Sequence, residues 1–335
     1  MAVTKVLVVD DSLTMRALIS GALERVPQVE VVGSASGAAE ARELTAQLNP
    51  DVITLDVEMP GMSGLEYLAE VMDKRPMRVI MFSTRTEAGA EDSVEALRLG
   101  AVDCFPKPRV ATPAELNKII AKLGKCIKTA RHVAPKSTAV VAPVDQAQFD
   151  WNGRLLAVGA DTSNTKALFD LFGSFPVNCP PTLVVQHLSA ALAEGMVGKL
   201  DEKVGPRVVL AQDGMAVEQG TIYFASPGDA HMVVDGWPSG TIRLLPRDAV
   251  VGERPSISVL LASVAKAAEG ESLGLLLASG SQDGSAGMKA LMAAGGYGIT
   301  PGSGTSSDFV LAHGLVTQPL PAADLPRSLL KLFCK

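Results

Sequence analysis

Five polar side chains in the first third of the chain each stand at the end of a short apolar run. Asp10 and Asp11 close Lys5 to Val9, Asp56 closes the run begun at Val52, Ser83 closes the run begun at Val79, and Lys107 follows Asp103 to Phe105. If the runs are neighbouring strands, these side chains converge on one edge of one sheet. Three carboxylates gathered there repel one another unless a cation lies among them. Mg²⁺ suits them, being a hard ion that takes oxygen ligands and keeps positions free for water and a phosphoryl group. Asp56 is then placed as the nucleophile of a phosphoryl transfer, with Lys107 and the metal neutralising charge on the phosphoryl oxygens.

A second set lies in the other half. Gly159-Ala160-Asp161-Thr162-Ser163 turns from a strand into a helix with Ala167, Leu168 and Leu171 on its apolar face, His187 ends a strand over 183–186, and Asp283-Gly284 follows a strand over 273–278. A hydroxyl, an imidazole and a carboxylate meeting at strand ends make an acyl-transfer triad, with the N–H groups of a helix N-terminus available as an oxyanion hole. Taken singly, each residue also has an ordinary structural reading. Asp10, Asp11 and Asp161 suit helix caps, His187 suits a bond to a backbone carbonyl, and Asp283 suits an Asp-Gly turn. His231 and His313 read as ordinary surface or loop residues, and the glycines at 302 and 304 lack the Gly-Lys-Ser/Thr ending of a phosphate loop.

The elements that must position these groups alternate along the whole chain. Apolar runs at 5–10, 29–33, 52–56, 79–83 and 103–105 are separated by amphipathic stretches, the last of them marked by Leu116, Ile119, Ile120 and Leu123. Strands apolar throughout imply a parallel sheet covered on both faces. In such a sheet ligands sit at the carboxyl ends of the strands. The same alternation resumes at 155–159, 182–186, 221–225 and 273–278, with an antiparallel hairpin expected over 232–235 and 242–245 around Gly236 to Gly240. The expected fold class is therefore α/β, as two doubly wound parallel-sheet domains. The boundaries fall at 1–126 and 152–335, joined by a linker over 127–151 in which hydrophobic periodicity lapses.

Length and composition agree with that reading. A chain of 335 residues, 47% hydrophobic and 20% charged, suffices for two packed cores. A net charge of −6 supplies no basic field for a phosphate backbone, so nucleic acid is not an expected partner. No run of about 20 apolar residues suits membrane insertion, and Asp10-Asp11 interrupts the apolar start in a way no signal peptide does. The four cysteines form no CxxC pair, so neither a zinc site nor a disulfide framework is indicated. A cytoplasmic protein is expected.

Val8-Val9-Asp10-Asp11-Ser12, Leu55-Asp56-Val57-Glu58-Met59-Pro60-Gly61-Met62-Ser63-Gly64-Leu65-Glu66 and Phe105-Pro106-Lys107-Pro108 resemble the motifs of two-component receiver domains. The resemblance implies that Asp56 is the phosphoacceptor, that Asp10 and Asp11 help hold Mg²⁺, and that Ser83 and Lys107 contact the phosphoryl group. Cys104 stands where an aromatic switch residue is common in that family. Ala157-Val158-Gly159-Ala160, Gln186-His187, Ser226-Pro227-Gly228-Asp229-Ala230-His231-Met232, Arg254-Pro255-Ser256 and Asp283-Gly284-Ser285-Ala286-Gly287-Met288 resemble the chemotaxis protein-glutamate methylesterase family, whose members also carry a receiver in front. That resemblance implies His187 as general base, Asp283 as the carboxylate that orients it, a chemotaxis histidine kinase as phosphodonor, and methyl-accepting chemoreceptors as substrates, through glutamate methyl esters and often glutamines.

The chain departs from the family at the rim of the site. Asp161 occupies the position of the nucleophilic serine, and Ser163-Asn164 replaces two glycines. Ser279-Gly280-Ser281-Gln282 and the segment 301–307 also differ from the family pattern. A carboxylate is a poor nucleophile toward an alkyl ester and gives His187 no hydroxyl proton to accept. Its charge also favours the imidazolium. Esterase activity is expected to be weak or absent, and a phosphorylation-controlled binding protein or phosphate sink is the alternative role.

Overall fold

Val6 to Val9, Val52 to Leu55 and Val79 to Phe82 are runs of β-branched and large apolar residues almost without exposed surface, as befits strands covered from both sides. In a computed structural model of the protein they belong to the first of two compact units, Met1–Ala139 and Val140–Lys335. The described residues are 3–83, 87–107, 121, 123–124, 126–127, 149–277, 283–301, 318–320 and 325–335. Most of the helix expected around 116–123, the hydrophobic lapse of the linker, and the segments 279–282 and 302–307 lie outside them, as does His313.

The first unit holds β1 (Thr4–Val9), β2 (Val29–Ala35), β3 (Val52–Asp56), β4 (Arg78–Ser83) and β5 (Asp103–Pro106). They form one parallel sheet in the order β2-β1-β3-β4-β5. Helices α1 (Leu13–Leu23), α2 (Ala38–Leu48), α3 (Gly64–Lys74) and α4 (Glu87–Leu99) connect the strands. Period-two alternation sends Val6 and Val8 to one core, with Ile19 and Leu23 of α1, and Leu7 and Val9 to the other, with Ala41 of α2 and Leu68 of α3. Helices thus cover both faces. Gly64 starts α3 directly over the Asp56 peptide, where a Cβ would come 1.8 Å from the Asp56 carbonyl oxygen, so only glycine permits this approach.

The second unit contains β6 (Leu155–Asp161), β7 (Thr182–His187), β8 (Arg207–Leu210), β9 (Thr221–Phe224), β12 (Ser272–Leu276), β13 (Tyr297–Pro301) and β14 (Gln318–Leu320). All pair in parallel in the order β14-β13-β12-β6-β7-β9-β8. A separate antiparallel pair, β10 (His231–Asp235) with β11 (Thr241–Leu245), forms the expected hairpin, one residue longer at the start of each strand. Helices α5 (Thr165–Gly173), α6 (Ala190–Lys203), α7 (Ile257–Ala268), α8 (Ser285–Ala293) and α9 (Leu325–Lys331) complete the described elements. Ile257, Leu260, Leu261 and Val264 of α7 pack on Leu155, Ala157, Leu183 and Val185 of one sheet face. Phe172 of α5 meets Phe224 of β9 edge to face at 6.1 Å. Both units are parallel-sheet α/β folds, as the strand pattern implied.

Each sheet has one place where the strand order reverses. In the first it is β1, flanked by β2 and β3, and in the second it is β6, flanked by β7 and β12. Such switch points open a crevice at the carboxyl ends of the strands. Asp10 follows β1 and Asp161 ends β6.

Candidate functional site

At the first switch point the structure gathers the residues that the sequence singled out. Asp10 and Asp56 are fully buried, Asp11 is exposed, and one carboxylate oxygen from each lies within 4.8 Å of the others. Lys107 follows β5, and its backbone N–H donates to the Ser83 carbonyl at 2.8 Å, which ties it to the end of β4. Its Nζ donates to Asp56 Oδ2 at 2.7 Å and stands 3.8 Å from Asp10 Oδ2.

The carboxylates have fewer donors than they can accept. Asp10 Oδ1 accepts the Ser12 N–H at 2.8 Å, and Asp56 Oδ1 accepts the Glu58 N–H at 3.2 Å. Asp10 Oδ2 is buried without a hydrogen bond. An acceptor orphaned in this way, beside a second buried carboxylate, fits a cation ligand. Burial, reinforced by the neighbouring Asp10 charge and opposed by Lys107, pushes the Asp56 carboxyl up to about 6. Burial also raises Asp10. Burial works against the Lys107 charge, but the bond to Asp56 and the charges of Asp56, Asp10 and Asp11 outweigh it, so Lys107 is held protonated.

Ser83 lies at the end of β4, buried, with its Oγ 2.8 Å from Ser93 Oγ on α4. The Cys104 thiol donates to the Ser93 carbonyl at 3.3 Å. Ser93 therefore connects the strand-end serine with the position where the receiver pattern places an aromatic residue. No spacing rule singles Ser93 out, because it sits on a helix face rather than a strand end.

At the second switch point, Asp161 and His187 are direct register partners on the adjacent strands β6 and β7. The strand-end turn is tied down by side chains. Thr162 Oγ1 donates to the His187 carbonyl at 2.8 Å, and Gln186 Nε2 donates to Thr165 Oγ1 at 2.8 Å and to the Asp161 carbonyl at 3.3 Å. The Ser163 hydroxyl donates to Asp161 Oδ1 at 2.6 Å. Asn164 Oδ1 faces the Asp161 N–H at 3.5 Å. Asp161 thus stands both at the rim of the site and at the cap position of the helical turn behind it.

Asp283 is fully buried and heavily supplied with donors. Its Oδ1 accepts the Ser256 hydroxyl at 2.8 Å and the N–H groups of Ser258 and Gly284 at 2.9 Å each, and its Oδ2 accepts the Ile257 N–H at 2.7 Å. Two of these donors are the first residues of α7, so the carboxylate rests on a helix N-terminus where a negative charge is favoured. Gly287 keeps α8 close to this point, since a Cβ there would come 2.4 Å from the Ser258 carbonyl oxygen. Burial works against the charge of Asp283, but His187 and the donors from Ser258 and Ser256 hold it well below the usual carboxylate range.

His187 Nε2 lies 3.3 Å from Asp283 Oδ2, an ion-pair distance that falls short of an aligned hydrogen bond. Burial disfavours a charged ring, but Asp283 and the charges of Glu253 and Asp161 outweigh it and raise the imidazole above its ordinary value. The site therefore brings all three expected residues together, with an imidazole biased toward its charged form. Glu253 and Ser258 were missed by sequence reasoning. Ser256 carried a signal, because a serine after proline and before the apolar run of Ile257 to Leu261 is an N-cap signature, and its hydroxyl does accept the Val259 N–H.

His231 departs from its sequence reading as a surface or loop residue. It opens β10 and is 1% exposed, with both ring nitrogens in hydrogen bonds. The sequence pattern missed this because an isolated histidine at the start of an amphipathic strand looks the same whether its ring turns in or out.

Comparison with known proteins covers nearly the whole chain. Residues 6–121 match the sequence model of the response regulator receiver domain, and residues 156–327 match that of the CheB methylesterase. The protein-glutamate methylesterase/protein-glutamine glutaminase of Agrobacterium fabrum is 38% identical over 341 residues, covering 99% of this chain and 97% of the relative. That of Rhizobium etli is 39% identical over 336 residues, with 99% and 97% covered. A relative from Caulobacter vibrioides is 41% identical over 297 residues, with 88% and 86% covered. Among solved structures, the Thermotoga maritima CheB methylesterase catalytic domain superposes with a TM-score of 0.50 at 24% identity, covering 54% of this chain and 99% of that one, which is a likeness of fold.

Proposed function

The chain belongs to the CheB methylesterase family, as a response regulator with a receiver domain ahead of a methylesterase domain, and we propose that it has kept the phosphorylation switch while losing most of the hydrolysis. We assign the receiver to residues 1–126, the linker to 127–151 and the methylesterase-like domain to 152–335.

In the receiver, Asp56 is the phosphoacceptor. Its carboxylate attacks phosphorus and the phosphodonor leaves, so the ionised form is the reactive one. Lys107, already bonded to Asp56 Oδ2, faces the charge that builds on the phosphoryl oxygens, and Ser83 contacts the phosphoryl group from β4. Asp10, Asp11 and Asp56 are the residues to hold Mg²⁺, and the orphaned Asp10 Oδ2 is what favours a cation there. When bound, the ion supplies positive charge opposite the transferring group. The phosphodonor class is a chemotaxis histidine kinase, and the surface recognised by the second domain is that of methyl-accepting chemoreceptors. A cytoplasmic location accords with this role. No helix among the described residues is long and apolar enough to cross a membrane.

One observation carries the loss of hydrolysis: Asp161, a carboxylate, is the register partner of His187 where a triad needs a hydroxyl. It offers His187 no proton to remove, and its charge adds to those of Asp283 and Glu253 in favouring the imidazolium. Ser163 supplies a hydroxyl two residues on, but that hydroxyl donates to Asp161. Asp283 is still seated on four donors beside His187. The deciding measurement is methanol release from methylated receptor. Phosphorylated protein is expected to give almost none, and Asp161→Ser to recover part of the family's activity. Robust release by the unaltered protein overturns this reading.

A further inference from the structure

We propose that His231 is a positioning residue for the His187–Asp283 pair, acting through Ser256. Its ring is held in a single arrangement. Nδ1 faces the Ser256 N–H at 3.0 Å, so it is the acceptor, and the ring proton therefore sits on Nε2, which donates to the Asp248 carbonyl at 2.9 Å. This one tautomer satisfies both partners.

Ser256 is the N-cap of α7, and three consecutive residues from that point give Asp283 three of its donors: the Ser256 hydroxyl and the Ile257 and Ser258 N–H groups. The N–H of an N-cap residue has no partner within its own helix. His231 supplies that partner from β10, in a fully buried position. The path from His231 to His187 is thus continuous: ring nitrogen, Ser256 backbone, Ser256 side chain and helix start, Asp283 carboxylate, imidazole. Arg254 ties the same two loops together farther out, through the carbonyls of Gly228 and Arg247 and the Asp229 carboxylate, but in a more exposed place and without touching Ser256. The inference rests on the His187–Asp283 reading above but not on whether the site hydrolyses esters.

Amide substitutions separate the two ring nitrogens. In His231→Asn the side-chain oxygen takes the place of Nδ1 and can still accept from Ser256, while His231→Gln puts its amide near Nε2 and leaves Ser256 without an acceptor. The readout is the NMR titration of the His187 ring in the full chain, assigned among four histidines by loss of its signal in His187→Gln. His231→Gln is expected to lower the His187 midpoint by roughly half a pH unit or more as the donors of Asp283 shift and the carboxylate loses its fixed place beside the ring, and His231→Asn to keep it near the native value. Ser256→Ala, which removes one of those donors, is expected to move it in the same direction. Combining Ser256→Ala with His231→Gln should then add little, because both act on one path. In the Asp161→Ser background, His231→Gln is expected to lower kcat roughly tenfold with KM unchanged, and His231→Asn to restore it. A His187 midpoint that is the same in the Asn and Gln variants overturns the proposal, even if both lose stability. Absence of any hydrolysis in Asp161→Ser overturns the esterase reading alone, since the titration still decides the role of His231.

Discussion

Asp56 and Asp283 are both fully buried aspartates at the carboxyl end of a parallel sheet, yet their acidities move in opposite directions. The difference lies in what surrounds them. Among the described residues, at least four hydrogen-bond donors and an imidazole surround Asp283, whereas a lysine, a backbone N–H and a second carboxylate stand beside Asp56. Burial alone raises a carboxyl pKa, and only enough donors reverse it. The second site is therefore complete around its carboxylate and altered at its nucleophile. The first, under the proposed function, keeps its nucleophile and has, among the described residues, an incomplete shell that suits a cation.

The largest expected effect tests the first half of that contrast. Asp56→Asn keeps the shape of the side chain but removes the nucleophile, so phosphate incorporation from a small phosphodonor with Mg²⁺ should fall to background. Asp11→Asn should only weaken it, because Asp11 is exposed and its loss leaves the two buried carboxylates in place. Incorporation that persists in Asp56→Asn moves the phosphoacceptor elsewhere.

Next in size is a pair of opposite stability changes. Asp283→Ala strands the Ser256 hydroxyl and the Ile257 and Ser258 N–H groups, which is expected to cost about 3 kcal/mol. Both tryptophans, Trp151 and Trp237, lie in the second unit, so denaturation followed by their fluorescence reports that unit alone. Asp10→Asn or Asp56→Asn relieves charge repulsion in a desolvated site, and without Mg²⁺ should stabilise the receiver by about 1 kcal/mol. Hydrogen exchange in β1 and β3 measures it. Destabilisation of similar size in both units would erase the contrast.

The alternation of apolar runs made most of this legible in the sequence. β1, β3 and β4 are apolar through most of their length, as buried parallel strands tend to be, and the polar residues that end them stand out against that background. The partners that set their acidity did not stand out. Ser258 and Gly284 donate to Asp283 through backbone N–H groups that any residue type carries, and His231 and Ser93 act from the start of a strand and the middle of a helix whose register a sequence leaves open. Asp161 was legible only as a departure from a family pattern. Its bond to Ser163 depends on the geometry of one turn.

A medium effect follows from the raised acidity of Asp56. The proposed Mg²⁺ would take ionised carboxylates, so at pH 5.5, below the value of about 6, it would have to displace a proton, and at pH 7.5 it would not. The sign follows from the linkage. A carboxyl whose folded pKa is raised makes the metal-free fold lose stability as pH rises from the unfolded value, near 4, through about 6, and a bound cation restores it. The Mg²⁺-induced protection of β1 and β3 against exchange should therefore be larger at pH 7.5 than at pH 5.5. Equal protection at the two values places the ion elsewhere.

The smallest effect concerns how the receiver responds once it is phosphorylated. Ser83 Oγ bonds Ser93 Oγ at 2.8 Å in a buried position, and with Ser83 as the donor a phosphoryl group on Asp56 that accepts the same proton would draw it away from that partner. One neutral hydrogen bond of about 1 kcal/mol then opposes phosphorylation. Ser93→Ala removes the competitor only in the unphosphorylated state, so the equilibrium moves toward the phosphorylated form by roughly three- to fivefold. The aspartyl-phosphate level at a fixed, subsaturating phosphodonor concentration measures this. A level that drops in Ser93→Ala means that Ser93 helps hold Ser83 for the phosphoryl group rather than away from it. The connection from Ser93 to Cys104 then becomes part of the phosphorylated state, and the receiver site, like the second one, is held by donors already in place.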